Sequence, residues 1–247
     1  MNQDAKDLFS KLELPYPAVA IKYCYSRPDG VEHVGETLSF CQFVKKTQDL
    51  GKAFYITKED DNCYGKMVLG MTPIPGFAAS GQVGFDFGVY GSPAANARLY
   101  NQIPTLVPGA CNYVVFCPVE ICDFSPDLII CVAQTAQADI IMRATSYISG
   151  DLWESRNSPV LSCAWTYAYP YISGKVNFCI TGMHHGMKRR KVYPMGLHLI
   201  SIPFEKIDEV IKALSEMDWD LIAMREDEAS KALLKQKMVH WQELSSE

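Results

Sequence analysis

Apolar residues in this chain recur in two rhythms, one returning every three to four positions and the other alternating or running unbroken for five or six residues. The first rhythm predicts a helix over residues 4–14, where Leu8, Phe9 and Leu12 form one stripe, Asp4, Lys6 and Lys11 lie outside it, and Pro15 ends it. It predicts further helices over 37–50, stopped by Gly51, then over 92–102, 134–148 and 160–171. The clearest amphipathic stretch is 204–217, with Ile207, Val210, Ile211 and Leu214 on one face. The second rhythm predicts strands over 17–25, 52–57, 112–117, 128–132, 176–181 and 197–202, with Pro203 closing the last.

Strands interleaved with helices predict an α/β or α+β fold, a mixed sheet flanked by helices. Residues 1–220 are expected to form a single domain and 221–247 a C-terminal helical extension able to cover the domain or to pair two copies into a homo-oligomer. The Gly- and Pro-rich stretch 73–93 reads as a long loop, and its Phe77, Phe85, Phe87 and Tyr90 suit packing against something apolar.

A weak duplication relates residues 39–70 to 162–190. Ser39-Phe40-Cys41 followed by Gly51-Lys52 and a strand is echoed by Ser162-Cys163 followed by Gly174-Lys175 and a strand. One copy leads to Cys63-Tyr64-Gly65 and the other to His184-His185-Gly186, so each ends in a potential ligand followed by glycine. Two such units would face one another as pseudo-symmetric halves.

Composition narrows the chemistry. A chain of 247 residues with 48% hydrophobic and 21% charged residues is globular, and a net charge of −5 offers no long-range attraction to nucleic acid or to anionic membranes. The one basic run is Lys188-Arg189-Arg190-Lys191. The N-terminus lacks the apolar core of an export signal, so the nine cysteines are expected in the reducing cytoplasm as thiols that are buried, reactive or metal-bound.

No Cys-x-x-Cys pair, Gly-x-Gly-x-x-Gly turn or P-loop is present. A metal site would be assembled from distant parts, with Cys41, Cys63 and His185 as first candidates and Cys163, Cys179 and His184 beside them. Gly65 and Gly186 would let the backbone approach a cofactor, with Arg189 as its anion partner. Cys24, Cys111, Cys117 and Cys131 fall in or beside apolar strands and read as small core residues, while Cys122 is open to either reading.

Three functions stay open. The leading one is binding of a metallocofactor, an iron–sulfur cluster or a haem-like tetrapyrrole. The second is a thiol-dependent enzyme with Cys41, early in its helix, as catalytic nucleophile. The third is a non-catalytic binder of a small anion at His184-His185-Gly186 and the basic run. Each takes a small molecule or cofactor as its partner.

The order of features, an apolar strand at Pro17-Ala18-Val19, then Phe40-Cys41, an acidic loop, Cys63-Tyr64-Gly65 with Gly70, and a late glycine-basic segment before Ile202-Pro203, resembles the domain of unknown function 169 family. In that family the late segment is similar to cysteine followed by Gly-x-x-Arg; here Gly186-Met187-Lys188-Arg189 fits, and His185 stands in place of the cysteine. The resemblance implies the cytoplasm of an anaerobe, where oxygen-labile clusters and reduced tetrapyrroles persist.

Overall fold

The computed structural model describes residues 1–244 of the chain, a seven-stranded mixed sheet with helices on both faces. In chain order come α1 (Gln3–Lys11), β1 (Tyr16–Cys24), β2 (Glu32–His33), α2 (Phe40–Leu50), β3 (Phe54–Ile56) and four short helices. These are α3 (Gly65–Val68), α4 (Gly76–Ala79), α5 (Gln82–Asp86) and α6 (Pro93–Tyr100). Then follow β4 (Tyr113–Pro118), β5 (Leu128–Ala133), α7 (Thr135–Ser146), a π-helical turn at Ala164–Ala168 and α8 (Tyr169–Ser173). The chain continues through β6 (Asn177–Ile180), α9 (His185–Arg189), β7 (His198–Pro203), α10 (Phe204–Glu216) and α11 (Glu228–Leu244).

The strand order is β2-β3-β4-β1-β5-β7-β6, antiparallel throughout except where β2 runs parallel to β3. Strand alternation divides the core cleanly in two. Val19 and Ile21 of β1 and Leu128, Ile130 and Val132 of β5 point to one face, while Ala18, Ala20, Ile129 and Cys131 point to the other. Both faces are covered, which is why these strands read as unbroken apolar runs rather than as alternating ones. The helices α1, α7 and α10 cover the second face, and α2, the π-turn and α9 lie over the first. The fold is the expected α/β arrangement.

Helix ends follow local chemistry. Asn2 caps α1 by accepting from the Ala5 amide at 2.9 Å, and Gly51 ends α2 in a left-handed conformation. Ser39 precedes α2, its own amide donating to Gln42 Oε1 at 3.1 Å.

Residues 73–93, read from sequence as a long loop, instead hold α4 and α5 packed on α6. The glycines that suggested a loop serve close packing: a Cβ on Gly81 would sit 2.5 Å from the Ala97 amide nitrogen, and one on Gly84 would sit 2.5 Å from Asn96 Cγ. The predicted helix over 160–171 is present, helical from 162 to 173, and its middle is the π-turn. Its loosened carbonyls are taken by side chains, Asn177 Nδ2 donating to Trp165 O at 2.8 Å and Tyr23 OH to Tyr167 O at 3.2 Å. The C-terminal helix α11 leaves Leu233, Met238 and Val239 exposed. Among the described residues no helix is long and apolar enough to cross a membrane.

Candidate functional site

On the first face, α2 and the π-turn are joined through the core. Tyr167 OH donates to Phe40 O at 3.1 Å, and the two fully buried rings meet edge to face with centroids 5.3 Å apart. This junction sets the second residue of α2, Cys41, beside the residues that open the π-turn. Cys41 Sγ lies 3.4 Å from Ser162 Oγ, and Cys163 is the next residue along the chain from Ser162.

The loop after β3 is anchored to the start of α2. Leu38 donates its amide to Asp60 O at 2.9 Å, and Asn62 returns one to Leu38 O at 3.0 Å. Buried Asp61 accepts from the Cys63 amide at 3.1 Å and the Lys66 amide at 2.8 Å, which fixes Cys63 at the edge of the same space. From the other side α9 brings His185, whose amide donates to Pro159 O at 2.8 Å and whose ring stacks on Phe87 at 5.6 Å.

These elements enclose a cavity of about 190 Å³. One end is polar and sulfur-rich, with Cys41, Cys63, Asn62, Ser162, Cys163 and Arg190. The remaining walls are largely apolar, formed by Val83, Phe87, Val89, Tyr100, Leu161 and Met187. Two polar atoms at its edge are buried with no hydrogen-bond partner, His185 Nε2 and Asn96 Oδ1. Such groups cost stability unless something bonds them.

The three cavity thiols differ in their electrostatics. Hydrogen bonding from Cys163 holds the Cys41 thiol below the ordinary value, and Ser162 and the positive charge of Arg190 help it against burial and Asp61. Cys163, the donor in that pair, is pushed well up, first by its bond to Cys41 and then by burial. Burial also raises Cys63, with Arg190 opposing. Of the three, Cys41 is the thiol whose ionisation its surroundings favour.

Of the residues singled out in the sequence, Cys41, Cys63, His185, Gly186 and Arg189 all line this cavity. Gly65 does not. It is buried against the Phe40 ring, where a Cβ would sit 2.6 Å from Cγ and 2.7 Å from Cε2, so its missing side chain serves core packing. Cys179 lies buried on β6 with its thiol pushed up to about 12 by burial, and His184 is buried with neither ring nitrogen partnered. Among the described residues no three His, Cys, Asp or Glu side chains come together so as to hold a metal ion.

Ser162, Asn96 and Arg190 line the cavity as well, and Arg190, beside the expected Arg189, lends its positive charge to both Cys41 and Cys63. The Ser-Cys echo of the repeat was the one available signal for Ser162. Cys111 and Cys131 are buried core residues with thiols raised to about 12. Cys117 and Cys122 are a second pair sealed in the core of the opposite face, their thiols donating to Pro118 O at 3.4 Å and Phe124 O at 3.3 Å.

The family model named DUF169 and described as Uncharacterised ArCR matches residues 7–213, a span that takes in every element from most of α1 to α10 and the whole cavity. The chain belongs to this family. A relative is found in Methanocaldococcus jannaschii, where the uncharacterized protein MJ0308 is 24% identical over 222 residues, covering 87% of this chain and 93% of that one. No solved structure matches the chain. The family bounds stop short of α11 and take in the sheet and the cavity between α2 and α9.

Proposed function

We propose that the protein is a thiol-dependent enzyme of the reducing cytoplasm in which Cys41 attacks an electrophilic small molecule bound in the cavity between α2, α5 and α9. The observation that carries this reading is the Cys41 sulfur itself, which opens onto a mostly apolar cavity and is favoured as thiolate by Cys163, Ser162 and Arg190. The apolar walls would take the body of the ligand. Arg189, Arg190 and Asn62 at the polar end suit an anionic group such as a carboxylate.

Alkylation with iodoacetamide as a function of pH, read by peptide mass mapping, tests the assignment. Cys41 is expected to react about tenfold or more faster than Cys63 at pH 7, with its rate levelling off below the ordinary thiol value near 8.5. A Cys41 no faster than Cys63 would overturn it.

A bound metallocofactor is a second reading, favoured by the buried and partnerless Nε2 of His185 beside two cysteines. A cavity of about 190 Å³ is small next to the roughly 300–1,000 Å³ of ordinary ligand pockets, so a tetrapyrrole would not fit it as it stands, and an iron–sulfur or mononuclear centre is the form this reading takes. Oxygen-free purification with metal analysis and an absorption spectrum decides it. Stoichiometric metal lost in His185→Ala supports the cofactor, and a metal-free protein that still alkylates at Cys41 leaves the thiol reading alone.

A further inference from the structure

We propose that Cys41 and Cys163 form a redox-active dithiol that exchanges with small carboxylate-bearing organic disulfides, with Cys41 attacking and Cys163 resolving. This rests on the reading of Cys41 as the reactive thiol, and adds to it a second step and a substrate class.

The arrangement meets what dithiol exchange requires. The two sulfurs come from separate helical starts, and the backbone that carries them is bolted together by the Tyr167 to Phe40 hydrogen bond and by Tyr23 on the Tyr167 carbonyl. Both line the same cavity, and Ser162, next to Cys163 in the chain, lies 3.4 Å from Cys41 Sγ, so closing a bond between the two cysteines asks for local adjustment and not for refolding. Cys41 is half-buried and Cys163 is 5% exposed, so a cavity ligand meets Cys41 first and Cys163 stands behind it. The other close pair, Cys117 and Cys122, is sealed on the opposite face and meets no cavity ligand.

The chemistry balances without a further reactant. The Cys41 thiolate attacks one sulfur of the substrate disulfide, a Cys41–substrate disulfide forms, the substrate S–S bond breaks, and the first thiolate leaves and takes a proton from solvent. Cys163 then loses its proton, and its sulfur attacks Cys41 Sγ. The Cys41–Cys163 bond forms, and the second substrate thiol departs with that proton. The protein dithiol is oxidised by two electrons and the substrate disulfide is reduced to two thiols. Apolar walls at Val83, Phe87 and Tyr100, with Arg190 and Asn62 at the sulfur end, select a disulfide with an apolar body and a negative charge.

The test uses the reduced, full-length protein with 5,5′-dithiobis(2-nitrobenzoic acid), an aromatic disulfide with two carboxylates, and with cystamine as its cationic counterpart. Peptide mapping of the wild type is expected to show a Cys41–Cys163 crosslink after either probe, formed about tenfold or more faster with the anionic one, and Arg190→Gln is expected to erase most of that preference. Cys163→Ser, checked for folding by circular dichroism and backed by Cys163→Ala, is expected to stop with the probe attached to Cys41. Cys122→Ser is expected to leave the reaction at Cys41 unchanged.

A wild type that stops at the mixed disulfide, or that joins Cys41 to Cys63, overturns the dithiol while leaving the reactive Cys41 in place. A Cys41 that resists both probes and also iodoacetamide overturns the underlying reading instead.

Discussion

Gly65→Ala is expected to destabilise the protein although alanine is the better helix former. The substitution adds one methyl group to the first residue of α3, at a backbone position with ordinary negative φ, and in an open helix it would gain about 1 kcal/mol. Here the new Cβ would lie 2.6 Å from Phe40 Cγ and 2.7 Å from Cε2, with Cδ2 nearer still, so the ring must retreat by at least about 1.3 Å to reach ordinary contact. Phe40 has no room for that, being fully buried with ring contacts to Phe43, Phe116 and Tyr167. Overpacking of this kind costs about 1–3 kcal/mol, and with three rings to displace the upper end applies, for a net loss of about 2 kcal/mol. In a chain of this size that lowers the melting temperature by roughly 4–8 °C.

The assay is urea unfolding of Gly65→Ala, Phe40→Leu and the double variant. Phe40→Leu opens space at the clash, so the double variant should be more stable than the sum of the two single losses predicts by at least about 1 kcal/mol. Strict additivity, or a Gly65→Ala protein as stable as the wild type, would refute the packing role and return Gly65 to the cofactor role suggested by its place after Cys63.

Three further outcomes are expected. Burial holds His184 down to about 4 against an ordinary histidine near 6.5, so the unfolded chain takes up its proton first; stability that is full above pH 6.5 is lost as pH falls toward 4, by roughly 3 kcal/mol, and urea midpoints of the wild type and of a His184→Leu variant should diverge over that window. Arg190→Gln should slow alkylation of Cys41 several-fold at pH 7 and move its pH profile upward, because the arginine's charge favours the thiolate of Cys41 and of Cys63 alike. Asp60→Ala should cost about 2–3 kcal/mol by urea unfolding and slow the reaction at Cys41, since the Asp60 carboxylate holds the Thr57 amide at 2.7 Å, Thr57 Oγ1 at 2.9 Å and His33 at 2.8 Å and so fixes the loop leading to Cys63.

The sheet and its large helices were legible because their signals are local. Apolar runs marked β4 and β5, Gly51 marked the end of α2, and the spacing of Ile207, Val210 and Leu214 marked α10. The short helices α4 and α5 were not, since their glycines carry the composition of a loop and only the presence of Asn96 and Ala97 on α6 shows why small residues are needed. Cys41, Cys63 and His185 were legible as chemistry-bearing types next to glycines and element ends. The partnership of Cys41 with Ser162 and Cys163 depends on a junction between α2 and a π-turn far away in the chain, which no periodicity announces. The choice between Arg189 and Arg190 likewise turns on which face of a single turn of α9 looks toward Asn62.

The bare-backbone packing of α4 and α5 on α6 has a consequence for the cavity wall. With Asn96 Nδ2 gripping the Gly81 carbonyl at 2.9 Å and no Cβ between the elements, residues 76–100 pack as one panel. The panel carries Phe87 and Tyr100 into the cavity wall, and at its near end Gly70, in a left-handed turn, closes on the carbonyls of Leu106 and Val107. Phe87 and Tyr100 are therefore set in the cavity wall by one packed unit, and a larger residue at Gly81 or Gly84 would displace both together.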